Sequence, residues 1–376
     1  MILFLLLLAV FYTQAGYFAL MCLLSRKAPR PLEKTAPLPD AITIILCVHN
    51  GEAMIQGRLQ NLVDCTWLGA REIIVFCDGC TDATARRAEE SAAPDVRVLV
   101  HPEKRGKWAA LNDAVQAASH PIIIFADLRQ TFDDQALLHL AEAFRDPQIG
   151  AVSGLLEIAS SDTGGGKGVD LYWRMERKLR EWEARFDSVI GCTGAIYAIR
   201  RDLYTDLKAG TILDDVVVPM KIAHQGFRIG YEPSARAFDP QTLEPQKEKA
   251  RKLRTLVGNY QLIEQYPEWM IPGKGPLWWQ LISHKYARLA VPWLLLLIAI
   301  ISLLGPKSLF TWALIIGQVV CYSLGALGCV LPHLRSRLIT IPAGFLLLQW
   351  SCAQALFGYI RSRSDPLSLW KTTTKA

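Results

Sequence analysis

The chain has 376 residues, enough for more than one folding unit and a large core. Its 41 Lys and Arg against 35 Asp and Glu leave a formal net charge of +6, too weak and too dispersed to argue for a nucleic-acid partner. The nine Cys are odd in number and scattered, and four of them lie in apolar segments. No disulfide framework is visible, and reduced thiols in a cytosolic domain are the simplest reading.

Residues 1–25 are expected to form a transmembrane helix, because Ile2–Leu24 is apolar and uncharged over a length that crosses the hydrocarbon core. Arg26, Lys27, Arg30 and Lys34 follow at once and place the next segment in the cytoplasm. A cleaved signal peptide would need a basic leading segment and a shorter apolar run. Pro29, Pro31, Pro37 and Pro39 make 26–40 an extended linker. Residues 41–265 have the pattern of a soluble α/β domain. Strand-like runs at Ile42–Val48, Glu72–Cys77, Val96–Val100, Pro121–Ala126 and Val152–Ile158 alternate with helix-length stretches such as Asp82–Ser91 and Lys107–Ala118. That alternation predicts a mainly parallel, layered sheet. A glycine-rich loop, Thr163–Gly168, lacks the spacing of a phosphate-binding P-loop and is expected to be a connector into a helix over Val169–Phe186. Residues 266–288, with Trp278, Trp279 and Tyr286 among basic residues, suit a helix at the membrane interface. Residues 289–360 hold three further apolar segments, about 289–305, 309–330 and 338–360, of which the first is the shortest. The basic turn His333–Arg337 then falls on the cytoplasmic side, while the tail 361–376 falls outside.

Several acidic and basic residues sit where α/β folds place ligand sites, at the carboxyl ends of strands. Asp78-Gly79 can accept from a nucleobase imide N–H, or can be a plain turn. Asp127 can hold a divalent cation bridging two phosphates, or can cap a helix. In Asp214-Asp215 one carboxylate can orient while the other acts as base on a hydroxyl, or both can favour a helix N-terminus. Lys249, Arg251, Lys252 and Arg254 can grip a pyrophosphate or face anionic lipid. Cys77 and Cys80 form a C-x-x-C, but it encloses a strand-end turn and argues weakly for metal or redox use.

Together these motifs resemble the membrane-bound branch of glycosyltransferase family 2, which includes the cellulose, hyaluronan and poly-N-acetylglucosamine synthases. His49-Asn50-Gly51-Glu52 is similar to the first-strand Asn-Glu-Glu loop, and Asp78-Gly79-Cys80-Thr81-Asp82 to D-G-S-x-D. Arg105-Gly106-Lys107 through Asn112 resembles G-K-x-x-A-L-N, and Asp127-Leu128-Arg129 lies where the metal-binding D-x-D belongs. Gly191-Cys192-Thr193-Gly194 looks like the acceptor-side glycine loop, Leu213-Asp214-Asp215 occupies the T-E-D position, and Gly226-Phe227-Arg228-Ile229 follows it.

The resemblance implies a GT-A fold, Rossmann-like, with one N-terminal and about three C-terminal transmembrane helices. It implies a nucleotide-diphospho-sugar donor, most often a UDP-sugar, with Mg2+ or Mn2+ and inversion at the anomeric carbon. Carried over, Asn50, Glu52, Asp78, Lys107, Asp127, Arg129, Arg251 and Arg254 bind the donor, Asp127 binds the metal, and Asp215, with Asp214 beside it, is the general base. Gly191, Cys192, Thr193 and Gly194 face the acceptor. Two departures stand out: Arg129 replaces the second Asp of D-x-D, and Arg251-Lys252-Leu253-Arg254-Thr255 replaces Q-x-x-R-W, whose Trp seats the acceptor in the polymerases. The expected protein is a multi-pass inner-membrane glycosyltransferase with a cytoplasmic catalytic domain. It would extend a membrane-associated glycan or lipid in exopolysaccharide or cell-envelope synthesis. The alternatives are a single-sugar transferase to a lipid, like the ceramide glucosyltransferases, and a non-catalytic nucleotide-binding partner of a synthase.

Overall fold

The computed structural model describes residues 1–91, 94–158, 166–239, 245–331, 333–334 and 336–362. The chain divides into two compact units, one of Ala28–Ala159 with Glu183–Leu243, the other of Met1–Lys27, Ser160–Trp182 and Glu244–Ala376. Residues 160–182 and 244–265, which the sequence pattern places in the 41–265 segment, thus group with the apolar helices. Residues 163–165 of the glycine-rich loop and most of the tail, 363–376, lie outside the described residues.

The α/β unit is built on one sheet. Its strands are β1 (Ala41–Val48), β2 (Ala70–Asp78), β3 (Val96–His101), β4 (Ile122–Ala126), β5 (Thr131–Phe132), β6 (Ile149–Ile158), β7 (Ile196–Arg200) and β8 (Arg228–Asp239). They lie in the order β3-β2-β1-β4-β7-β6-β8-β5. β1 runs parallel to β2 and to β4, so that Ile44 stands beside Ile73 on one side and Ile124 on the other. Parallel strands covered on both faces need continuous apolar runs, and Ile42, Ile44, Ile45 and Leu46 are all buried. Helices α2 (Ile55–Asp64), α3 (Thr84–Glu89) and α4 (Lys107–Ala117) accompany the parallel half, and α5 (Ala136–Ala143) packs on β6, β7 and β8. Leu59 and Leu62 of α2 and Leu137 and Leu140 of α5 join Ile42, Ile44 and Leu46 in one core.

Strand order reverses at β1, with β2 and β3 on one side and β4 on the other. A reversal of this kind leaves a crevice at the carboxyl ends of the strands. β7 then runs antiparallel between β4 and β6, while β6 and β8 are parallel. β1 to β4 and β6 stand where the apolar runs predict them. β5 and β8 carry no such signal, since β5 has two residues and β8 is interrupted by Glu232, Pro233 and Arg236; β7, a short apolar run ending in Arg200, stands beyond the expected strands.

In the other unit, α1 (Ile2–Lys27) and, after α6 (Gly166–Phe186), α7 (Asp214–His224, in the α/β unit) and α8 (Pro245–Gln265), three long helices follow: α9 (Trp278–Leu304), α10 (Leu309–Val330) and α11 (Arg337–Ser362). Among the described residues, α1, α9, α10 and α11 are the four helices long and apolar enough to cross a membrane. Of the segment expected to lie at the interface, residues 278–288 form the first turns of α9, which makes the shortest apolar stretch part of a 27-residue helix. α1 and α9 each contain one wider π-turn, Tyr12–Gly16 and Ile282–Tyr286. The two turns meet where Tyr12 Oη and Ser283 Oγ share a 2.8 Å hydrogen bond and Trp279 Nε1 donates to Tyr12 Oη at 3.0 Å. α10 and α11 form a close hairpin: a Cβ on Gly325 would stand 2.9 Å from Pro342 O, and one on Gly328 2.8 Å from Ala343 Cβ. Small residues permit this approach, which larger ones would prop open. Gly325→Val is therefore expected to cost about 1–3 kcal/mol by overpacking, seen as a lower thermal midpoint in detergent; an unchanged midpoint would refute the close contact.

Candidate active site

The loops after β1 and β2 are laced together. Asn50 adopts a left-handed backbone, φ +53°, and its Oδ1 accepts the Thr81 N–H at 2.8 Å. Glu52 Oε2 accepts the Ala83 N–H at 2.9 Å, and the Glu52 N–H is bound by Asp82 Oδ2 at 3.1 Å. Cys80 Sγ accepts the Asn50 N–H at 3.4 Å and donates to Val48 O at 3.5 Å, so the C-x-x-C belongs to this lacing. Asp78, at the end of β2, is 4% exposed. Its Oδ1 accepts the Arg105 N–H at 3.0 Å and its Oδ2 the Gly106 N–H at 2.8 Å. Gly106 is the N-cap of α4. One carboxylate thus fixes the turn that starts α4, and with it the root of Lys107.

Lys107 is the first residue of α4, Asp127 follows β4, and Asp214 opens α7. The three converge: Lys107 Nζ lies 3.2 Å from Asp127 Oδ1 and 3.2 Å from Asp214 Oδ2. Burial opposes the charge on Lys107, but Asp127, Asp214 and Asp215 outweigh it and hold the ammonium well above the usual lysine range. The Asp127 side chain is 40% exposed and that of Asp214 only 9%. Arg58, itself buried and stacked on Phe132, donates from Nε to Asp127 O at 3.1 Å and braces the backbone there. Cys47 on β1 lies among the same charges.

Asp215 stands in the first turn of α7, where backbone N–H groups favour anions. The expected acceptor-side loop is brought to it. Asp215 O accepts the Cys192 N–H at 2.7 Å, and a Cβ on Gly194 would lie 3.2 Å from Asp215 Oδ2. The loop is anchored from β6 by Ser153 Oγ, which accepts the Thr193 N–H at 2.9 Å. Glycine at 194 therefore leaves room beside the carboxylate that any side chain would narrow. Gly191 is equally close to α7, with a would-be Cβ 3.0 Å from Val216 Cγ2.

Four residues absent from the sequence-based site belong to its walls. Tyr197 is fully buried against Phe125, with ring centroids 4.5 Å apart, and its hydroxyl has no hydrogen-bond partner among the described residues. Burial, then Asp214, raises it far above the usual tyrosine range. Tyr204 donates to Asn112 Oδ1 at 2.7 Å, and the same oxygen accepts the Leu207 N–H at 2.9 Å. Asn112 of the G-K-x-x-A-L-N-like run thereby ties α4 to the segment leading into Asp214. Arg58 and Cys47 complete the set; neither carries a motif, and only their place beside strand-end acids could have marked them.

Arg129, in the place of the second D-x-D acid, is ion-paired with Asp239 at the end of β8. Asp239 is 2% exposed and also accepts from Gln130 Nε2 at 3.1 Å. The pairing follows from register, since β5 sets Thr131 opposite Phe238. Among the described residues no cluster of three or more His, Cys, Asp or Glu could hold a metal ion. Asp127 fits a divalent cation as a single ligand: it is a hard oxygen donor at a strand end, partly open, and already the place where a cationic group settles. Arg251 and Arg254 lie one turn apart on α8, in the other unit, and share a helix face.

Residues 43–208 match the profile of glycosyl transferase family 2. This segment is a family 2 glycosyltransferase domain. Among curated proteins, an N-acetylglucosaminyltransferase of Rhizobium meliloti (strain 1021) is 28% identical over 236 residues, 58% of this chain and 55% of that protein. The poly-beta-1,6-N-acetyl-D-glucosamine synthase of Staphylococcus aureus (strain COL) is 27% identical over 212 residues, 54% of this chain and 51% of that protein. The chain thus spans about half the length of the curated relatives it matches. A mannosyltransferase from Pyrobaculum calidifontis, solved in complex with GDP-Man and Mn2+, superposes with a TM-score of 0.74 at 21% identity, over 96% of this chain and 98% of that one. The expected GT-A fold, with one N-terminal and three C-terminal apolar helices, and the synthase-like branch of family 2 are both borne out.

The glycosyltransferase domain carries one thiol whose behaviour reports on the charges around it. Burial pushes Cys47 far above the ordinary thiol range; Lys107 opposes the shift, while Asp214, Asp78 and Asp127 add to it. A raised value keeps the neutral thiol dominant through pH 8–9, the range in which a free Cys near 8.5 passes from mostly thiol to mostly thiolate. Iodoacetamide at pH 8.5 is expected to leave Cys47 unmodified by peptide mass spectrometry; alkylation at the rate of a free thiol would contradict this.

Proposed function

We propose that the protein is an inverting glycosyltransferase that moves a sugar from a nucleotide-diphospho-sugar to a hydroxyl of a membrane-associated glycan or lipid. The observation that carries the reading is the convergence of Asp127, Lys107, Asp214 and Asp215, with the Gly191–Gly194 loop beside Asp215, at the carboxyl end of the sheet. The relatives act on N-acetylglucosamine by name, and the structural neighbour was solved with a nucleotide sugar and Mn2+. Those facts support a nucleotide-sugar donor and a divalent cation here.

In this mechanism the acceptor hydroxyl sits against the open side of Gly194. Asp215 takes its proton as the acceptor oxygen attacks the anomeric carbon, and the bond from that carbon to the diphosphate oxygen breaks on the opposite face, which inverts the centre. Asp214, buried and bound to Lys107, holds the ammonium toward the leaving diphosphate. Asp127 would hold a Mg2+ or Mn2+, which when bound would supply charge stabilisation to the leaving diphosphate. Asp78 orients the base-binding turn, and Arg251 and Arg254 serve the donor or anionic lipid. The four apolar helices span an inner membrane with the α/β unit in the cytoplasm, where nucleotide sugars are made. The Arg26–Lys34 cluster supports that orientation.

Asp215→Asn keeps the volume and removes the base. It is expected to lower turnover by about 10² or more while leaving nucleotide binding intact, measured by release of nucleoside diphosphate and by titration calorimetry; near wild-type turnover would exclude Asp215. Transfer is expected to stop in EDTA and to return with added Mn2+ or Mg2+. Full activity in chelator would remove the metal from the mechanism.

A further inference from the structure

We propose that Lys107 is the resident cation of the unloaded site, and that its ammonium must leave Asp127 before a divalent ion can settle there, so that metal enters with the donor diphosphate and not ahead of it. The proposal rests on the reading of Asp127 as the metal-holding residue and says what controls its occupancy. Its basis is geometric. The ammonium lies 3.2 Å from each of two carboxylates that come from different elements, the end of β4 and the start of α7.

Neither end of this bridge yields easily. Asp127 cannot swing away with its backbone, because Arg58 holds its carbonyl at 3.1 Å. Asp214 is largely buried at the head of α7. The mobile partner is the lysine, whose root is fixed by the Asp78 clamp on Gly106 but whose four-carbon stem has free torsions. Arg129 does not compete for Asp127, because it is engaged by Asp239.

A bare divalent ion arriving at Asp127 would meet the Lys107 ammonium already in contact with that carboxylate, and in a partly buried site the repulsion is strong. A nucleoside diphosphate changes the balance. Its oxygens offer the ammonium a new partner while Asp214 retains it, and they add ligands for the metal that the protein does not supply. Departure of Lys107 from Asp127 and arrival of the metal then become one event, which couples donor and metal binding in both directions.

The test is Mn2+ binding by the purified full chain in detergent, read by calorimetry or by loss of the free-Mn2+ paramagnetic resonance signal, with UDP and GDP as the nucleotide probes. Wild-type protein is expected to bind Mn2+ weakly alone and at least about tenfold more tightly with a nucleoside diphosphate. Lys107→Met is expected to bind Mn2+ alone about tenfold more tightly than wild type, and to lose most of the nucleotide enhancement. Unchanged or weaker binding of Mn2+ alone by Lys107→Met would overturn the proposal. Adding Asp127→Asn to Lys107→Met should abolish the gain. If Asp127→Asn leaves nucleotide-dependent Mn2+ binding of the otherwise wild-type chain intact, the metal lies elsewhere and both the Asp127 reading and this inference fall. Should Lys107→Met not fold, Lys107→Arg decides: a guanidinium that can fork between both carboxylates should weaken binding of Mn2+ alone, and tighter binding would overturn the proposal.

Discussion

The geometry of the site depends first on a carboxylate that does no chemistry of its own. Asp78 binds two successive backbone N–H groups, those of Arg105 and Gly106, and is closed off from solvent while doing so. Those bonds set the direction in which α4 leaves its turn. They also link the end of β2 to the first residue of α4, from which the ammonium of Lys107 reaches two further acids. A backbone N–H left unpaired in such a place would be costly, so the turn has little freedom to drift.

The charges that follow from this placement are compensated only in part, since one ammonium faces Asp127, Asp214 and Asp215. Asp214 is too buried to stand as an isolated anion, and Lys107 is its counter-charge. Removing one partner of such a pair leaves the other exposed to the full cost of burial. The same logic operates a few residues away, where an arginine replaces an acid after β4 and a buried aspartate on β8 answers it. The Arg129–Asp239 pair is locally neutral, where an acid at position 129 would have added a negative charge beside Asp127.

How much of this could be read from the linear chain follows from the physics of each element. Buried parallel strands leave an unmistakable trace, because both faces demand apolar residues; β1, β2 and β4 were legible together with the acids at their ends. β8 was not, since Arg228 is a buried charge at its start and Glu232, Pro233 and Arg236 interrupt its apolar positions, in a strand near the sheet edge. With β8 unseen, Asp239 could not be placed beside Arg129. The meeting of the Gly191–Gly194 loop with Asp215 was foreseen only through motif resemblance, since no periodicity connects those positions. Tyr197 and Tyr204 lacked even that: their relation to Asp214 arises from the antiparallel half of the sheet and from the two hydrogen bonds accepted by Asn112 Oδ1. At the start of α9, the aromatic and basic residues that read as an interfacial segment belong to the same helix as the apolar stretch after them.

The hydrogen bond between the two π-turns has a consequence for biogenesis. Tyr12 and Ser283 are separated by 271 residues in sequence, whereas α10 and α11 are neighbours joined by a short turn. The hairpin can close as soon as it emerges. The first helix cannot: at ribosomal rates of about 5–20 residues per second, roughly 15–55 s pass between synthesis of Tyr12 and of its partner. On the proposed topology, α1 waits that long in the bilayer with its tyrosine hydroxyl unmatched, while the whole catalytic unit folds on the cytoplasmic side. On that topology the lone span is an anchor first, and becomes part of a packed helical assembly only after Ser283 has been made.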